Sequence, residues 1–193
     1  MMKKLLITGF DPFGGESINP SWEAVKLLPD TIGEYQIHKL QIPTVFGVAP
    51  RKVLEAAQDI QPDVIISVGQ AGTRDSVTPE RIGINMRSAR IADNAGRIPV
   101  EEKIVEGGAD GLFSTLPVAA MVDAIRAAGL PGAISNTAGT FVCNDTLYSL
   151  LHHYQGTQVR CGFIHVPWLP EQGTPNLSLE NTVQALIAAI SAL

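Results

Sequence analysis

Short apolar runs alternate with amphipathic stretches along the whole 193-residue sequence. Consecutive apolar positions suit a strand buried on both faces, and an apolar stripe recurring every three or four residues suits a helix laid across it. Together they predict an α/β protein with helices crossing between mostly parallel strands. Strands are expected at Lys3 to Thr8, Glu34 to Gln41, Val64 to Val68, Arg81 to Met86, Gly132 to Asn136 and Val159 to Val166. Helices are expected at Pro20 to Leu28, Ala49 to Asp59, Leu116 to Ala128, Asn144 to Tyr154 and Leu179 to Leu193. Local punctuation agrees with this. Asn19 can cap the first helix with proline at its first position, the second helix stops before Pro62, and Gly129 ends the third. Ala89 to Gly111 breaks the rhythm, being polar, glycine-rich and aperiodic. It is expected to be a surface excursion of the kind used as a binding loop, lid or subunit contact.

Composition narrows the picture. At 45% apolar and 17% charged, the chain must bury a core, and its length suits one domain spanning 1–193. Its formal charge is −5 and its basic residues are scattered, which argues against a nucleic-acid partner. No apolar stretch approaches the roughly 20 residues that cross a bilayer. The apolar part of MMKKLLITGF is too short for a signal peptide, so a cytoplasmic location is expected. The two cysteines, Cys143 and Cys161, form no CxxC pair, so neither a disulfide scaffold nor a metal site is expected.

Ligands of open α/β sheets gather at the carboxyl ends of strands. Four segments fall there: TGFDPFGG (8–15), GQAGTR (69–74), NTAGTFVCN (136–144) and FIHVPWLP (163–170). The first lacks both the Gly-Lys-Ser/Thr of a phosphate loop and the GxGxxG of a dinucleotide site, so no nucleotide cofactor is implied. Phe10 and Phe13, read as solvent-facing, suggest an apolar wall instead. Cys143 falls beside a helix N-terminus, where unpaired N–H groups and the macrodipole favour a thiolate. A lone cysteine is more often a core residue, so the partner decides. His165, at the end of the last strand, belongs to the same carboxyl edge, the arrangement a thiol nucleophile and its general base require. Cys161 lies four residues earlier on that strand, roughly 13 Å away, and is assigned to the core. His38, His152 and His153 have no companions at useful spacing. The imidazole also needs a carboxylate to orient it, and spacing alone leaves Asp11, Asp75 and Glu80 open. Arg74, Arg81, Arg87 and Arg90 leave room for a nucleoside-cleaving, anion-binding enzyme that would need phosphate and tolerate loss of its thiol. A non-catalytic binding module is the third possibility.

Set beside VGQAG, TPERIGIN, ARIADN, SNTAGTFVCN and GFIHVPWLPEQ, these segments give the chain a nearly end-to-end resemblance to the pyroglutamyl peptidase (pyrrolidone-carboxylate peptidase) family of cysteine peptidases. The resemblance implies an α/β/α sandwich with a mostly parallel twisted sheet, of the phosphorylase/hydrolase-like kind. It implies a Glu, Cys, His triad of Glu80, Cys143 and His165, with Arg90 supporting the oxyanion beside the Cys143 N–H. It implies a flat apolar ring pocket from Phe10, Phe13, Ile91, Phe141 and Val142, with backbone groups near Gln70 bonding the lactam. The implied substrate is a peptide with an amino-terminal pyroglutamyl residue, cleaved without cofactor or metal by a homotetramer. Trp168 departs from a tyrosine common in the family, and the segment around Gly107 to Gly111 is variable there.

Overall fold

The apolar run near the start of the chain becomes β1 (Lys3–Phe10), and its side chains alternate between two cores: Leu5 and Ile7 enter one, Leu6 and Phe10 the other. The computed structural model describes residues 2–193. Asn19 caps α1 (Pro20–Leu27) by accepting from the Ser21 N–H, and proline supplies the first helical residue. A two-residue β2 (Thr31–Ile32) then turns into β3 (Tyr35–Ile42). α2 (Val48–Ile60) ends at Gln61, in the left-handed region just before Pro62. β4 (Val64–Gln70), β5 (Thr78–Pro79), β6 (Ile82–Ile84) and β7 (Gly111–Phe113) follow. α3 (Val118–Ala127), α4 (Val142–His153), β8 (Arg160–Val166) and α5 (Leu179–Ser191) complete the order.

One six-stranded sheet runs β2-β3-β1-β4-β8-β5. Its four central strands are parallel, and the two short edge strands are antiparallel to their neighbours. α1, α3 and α5 cover one face, burying Val25, Met121, Ile125 and Leu186 against Leu5, Ile7 and Ile66. α2 and α4 cover the other, burying Val53, Leu147 and Leu150 against Leu6, Ile65 and Phe163. The result is an α/β/α sandwich whose inner strands β1, β4 and β8 are buried along most of their length because both faces are covered. Among the described residues no helix is long and apolar enough to cross a membrane.

Two expected strands differ. Arg81 to Met86 supplies only β6, which pairs with β7 in a separate antiparallel ribbon. Gly132 to Asn136 is not a strand. It touches the 77–81 segment at two isolated bridges, Val77 with Gly132 and Glu80 with Ser135. Pro79 lies between them without an N–H to donate, so the ladder cannot become continuous. The 89–111 excursion is also less free than its composition suggests. The buried Asp93 carboxylate accepts the N–H groups of Phe46, Ala95 and Arg97, and the Asn85 side chain accepts those of Ile104 and Val105.

Candidate active site

β8 carries His165 to the carboxyl edge of the sheet, where two neighbours meet it. The register sets it opposite Gly69 of β4 on one side and Thr78 of β5 on the other. Glu80, one residue past β5, donates its N–H to Phe163 O at 2.9 Å, which holds its backbone alongside β8. Its Oε1 then lies 2.7 Å from His165 Nδ1. An ionised carboxylate can only accept, so Nδ1 carries the hydrogen and Nε2 keeps its lone pair. Of the other carboxylates left open by spacing, Asp11 accepts from Thr44 N and Asn94 Nδ2, and the exposed Asp75 accepts from Ser76.

Cys143 is the second residue of α4. The N-cap residue, Phe141, has no side chain that can cap, and the N–H of Asp145 is the first to return to it, bonding Phe141 O. The N–H groups of Val142, Cys143 and Asn144 therefore remain unpaired donors at a helix N-terminus. The side chain of Asn144 fixes this end of the helix by accepting from Ile84 N and donating to the carbonyls of Ile84 and Met86. A methyl group on Gly69 would come within 2.9 Å of Cys143 Sγ and 2.7 Å of the Phe163 ring. The sulfur thus lies over Gly69, the residue directly across from His165, and parallel partners project to the same face of the sheet. The register therefore carries thiol and imidazole to the same face of the sheet at neighbouring positions, with no hydrogen bond between them. Cys161 is buried at the other end of β8.

Electrostatics separates the three groups. Burial pushes the Glu80 pKa up, but its hydrogen bond and attraction to His165, helped by Ser135 and Arg74, outweigh burial and hold it below the usual carboxylate range. His165 is moved down, because burial outweighs Glu80 and the Arg74 charge adds to the lowering. Burial, with the Glu80 charge behind it, pushes the Cys143 thiol up to about 12. Desolvation of the sulfur thus works against the thiolate that the helix N-terminus favours.

A cleft of about 590 Å³ opens beside α4, lined by Ser88, Ala89, Arg90, Ile91, Gly139, Thr140 and Phe141. Phe141 is packed between Phe13 (centroids 5.7 Å apart) and Phe46, whose ring lies nearly perpendicular to it (5.2 Å). Ile91 is half exposed, and Arg90 is exposed at the cleft, its guanidinium making no hydrogen bond among the described residues. The Gln70 side chain, half-buried at the end of β4, accepts from Gln172 at 3.3 Å. Two residues expected in the ring pocket are buried in the core. Phe10 is only 2% exposed and packs on Phe163 within the core, because β1 runs on through it, and Val142 is fully buried in the same core. The arginines considered for an anion site are mostly committed: Arg74 to Glu80, Arg81 to Asn136 and Arg87 to Asp145. Asn144 and Asp145 hold the start of α4 without belonging to any recognisable catalytic motif. Their one visible signal was two polar residues in succession where α4 must pack, and both prove fully buried.

An α/β/α sandwich that gathers a thiol, an imidazole and a buried carboxylate at its strand ends has the architecture of a cysteine hydrolase. The model of the pyroglutamyl peptidase family matches residues 3–193, and the chain belongs to that family. The pyrrolidone-carboxylate peptidase of Levilactobacillus brevis is 52% identical over 98% of this chain and 97% of its own, and that of Finegoldia magna is 48% identical over 98% and 92%. Among solved structures, pyroglutamyl peptidase I from Bacillus amyloliquefaciens superposes with a TM-score of 0.96 at 48% identity, covering 100% of this chain and 95% of that one. Pyrrolidone carboxyl peptidase from Thermococcus litoralis gives 0.94 at 36% identity, covering 99% and 93%.

Proposed function

We propose that the protein is a cysteine peptidase that hydrolyses the amide bond following an amino-terminal pyroglutamyl residue. The observation that carries the mechanism is the 2.7 Å contact of Glu80 Oε1 with His165 Nδ1, beside a sulfur seated on Gly69. With Nδ1 so engaged, His165 Nε2 takes the Cys143 proton as Sγ attacks the scissile carbonyl. The raised thiol and lowered imidazole both act against a thiolate–imidazolium pair in the absence of substrate. Uncapped N–H groups at the start of α4, that of Cys143 foremost, stabilise the oxyanion, and Arg90 adds a positive charge from the cleft. The imidazolium returns its proton to the departing amine. Water then cleaves the thioester with His165 as base, releasing pyroglutamate and the free thiol. No cofactor or metal takes part.

Specificity follows from pairing. Phe13, Phe141 and Ile91 offer apolar surface to a flat uncharged ring, and backbone groups near Gln70 serve the lactam N–H and carbonyl. A prolyl residue has no ring carbonyl and leaves such groups unpaired, which costs several orders of magnitude in kcat/KM. The exposed Ile98, Val100 and Phe113 are candidate contacts for the homotetramer we assign to the active form, which sedimentation equilibrium would test. The specificity test is to assay pyroglutamyl, prolyl and alanyl coumarylamides side by side. Rapid release from the first alone is expected, and equal turnover of the prolyl compound contradicts the assignment.

A further inference from the structure

Arg74 is the cation nearest the charge system of the site, and its side chain is only 24% exposed. Its Nη1 donates to Glu80 Oε1 at 2.6 Å, the same oxygen that receives His165 Nδ1–H, and also to Thr78 Oγ1. Its Nη2 donates to Thr137 O at 2.9 Å, tying the loop after β4 to the segment that leads into α4 and Cys143. The other carboxylate oxygen, Oε2, is buried without a hydrogen-bond partner, since the nearby Ser135 hydroxyl donates to Thr137 O.

We infer that Arg74 is a positioning residue for the reaction proposed above, on which this inference rests: it clamps Glu80 at the angle that orients His165, and its charge offsets the attraction that would otherwise hold a proton on the ring. The titratable and charged groups facing His165 are Glu80, Arg74 on the loop before it, and Cys143 from α4. Gly69 of β4, Phe163 of β8 and Thr78 of β5 carry no charge. Arg74 lowers both His165 and Cys143. Whichever of the two sets the acid limb of kcat/KM, removing the guanidinium raises it, so the sign of the shift does not depend on assigning the limb.

The test is the pH profile of kcat/KM for Arg74→Met and Arg74→Lys on a pyroglutamyl coumarylamide, with the pH dependence of Cys143 alkylation by iodoacetamide measured in parallel. Arg74→Met is expected to lose about 10- to 100-fold in kcat/KM. Its acid limb and its alkylation profile should both move up by about one pH unit, and Arg74→Lys should bring the limb at least halfway back. If Arg74→Met does not fold, Arg74→Gln is read in the same way. An acid limb coinciding with that of the wild type, in a folded variant, overturns the inference whatever the loss of rate. A wild-type protein inactive on the pyroglutamyl substrate refutes the proposed function instead, and the alkylation profile still decides the role of Arg74.

Discussion

His165 is a buried base whose proton affinity in the folded state is reduced, and that has a consequence for stability as well as for catalysis. Unfolded histidine takes up a proton below about pH 6.5. The folded ring takes it up later, so stability is lost as the pH falls through that value toward the folded pKa. Glu80, shifted downward, keeps its contribution until the pH drops below the ordinary carboxylate range. Replacing His165 with Gln should therefore flatten the decline of Tm just below about pH 6.5. An identical slope for wild type and variant contradicts a neutral buried imidazole. At this scale the sequence was legible where a residue's position along its element was enough. Cys143 at a helix start and His165 at a strand end could be read in that way. The choice of Glu80 over Asp11 and Asp75 could not, because it depends on a two-residue antiparallel strand that returns beside β8. Phe10 is buried rather than solvent-facing for a reason of parity: β1 runs two residues beyond its predicted end, and the even-numbered Leu6 and Phe10 face the α2 and α4 core.

At the scale of elements, the meeting of β4, β8 and α4 depends on Gly69. Only the absence of a side chain there admits both the Phe163 ring and the Cys143 sulfur. Gly69→Ala should destabilise the fold by about 1–3 kcal/mol through overpacking and also move the thiol, lowering kcat/KM more than the folded fraction explains. Gly9→Ala provides the control. Its Cβ would meet the Trp22 backbone of α1 at 2.6 Å, on the opposite face of the sheet from the sulfur. It should cost comparable stability and leave the kcat/KM of the folded protein near that of the wild type. Thermal melts and kinetics on both variants decide this, and equal kinetic losses would mean that Gly69 matters for packing alone. Helices with caps and strands buried on both faces could be read locally. The 132–136 segment and the β6–β7 ribbon could not, because one is interrupted by a proline on a distant segment and the other joins residues far apart in sequence.

Across the whole molecule, the parallel sheet brings residues from three widely separated parts of the chain to one edge, while both of its faces stay dry. Alternation of apolar and amphipathic segments was enough to read this architecture. The course of the 89–111 excursion was not, since side-chain bonds of Asp93 and Asn85 to backbone, rather than any hydrophobic period, hold it beside the cleft. The proposed catalysis rests on the Cys143 sulfur and the His165 imidazole acting as one unit. The most direct test is kcat/KM on a pyroglutamyl coumarylamide for Cys143→Ser, with Cys161→Ser measured beside it. We expect the first variant to lose at least about a thousandfold and the second, altered only at a buried thiol at the far end of β8, to stay within a fewfold of wild type. Undiminished turnover in Cys143→Ser would contradict the account.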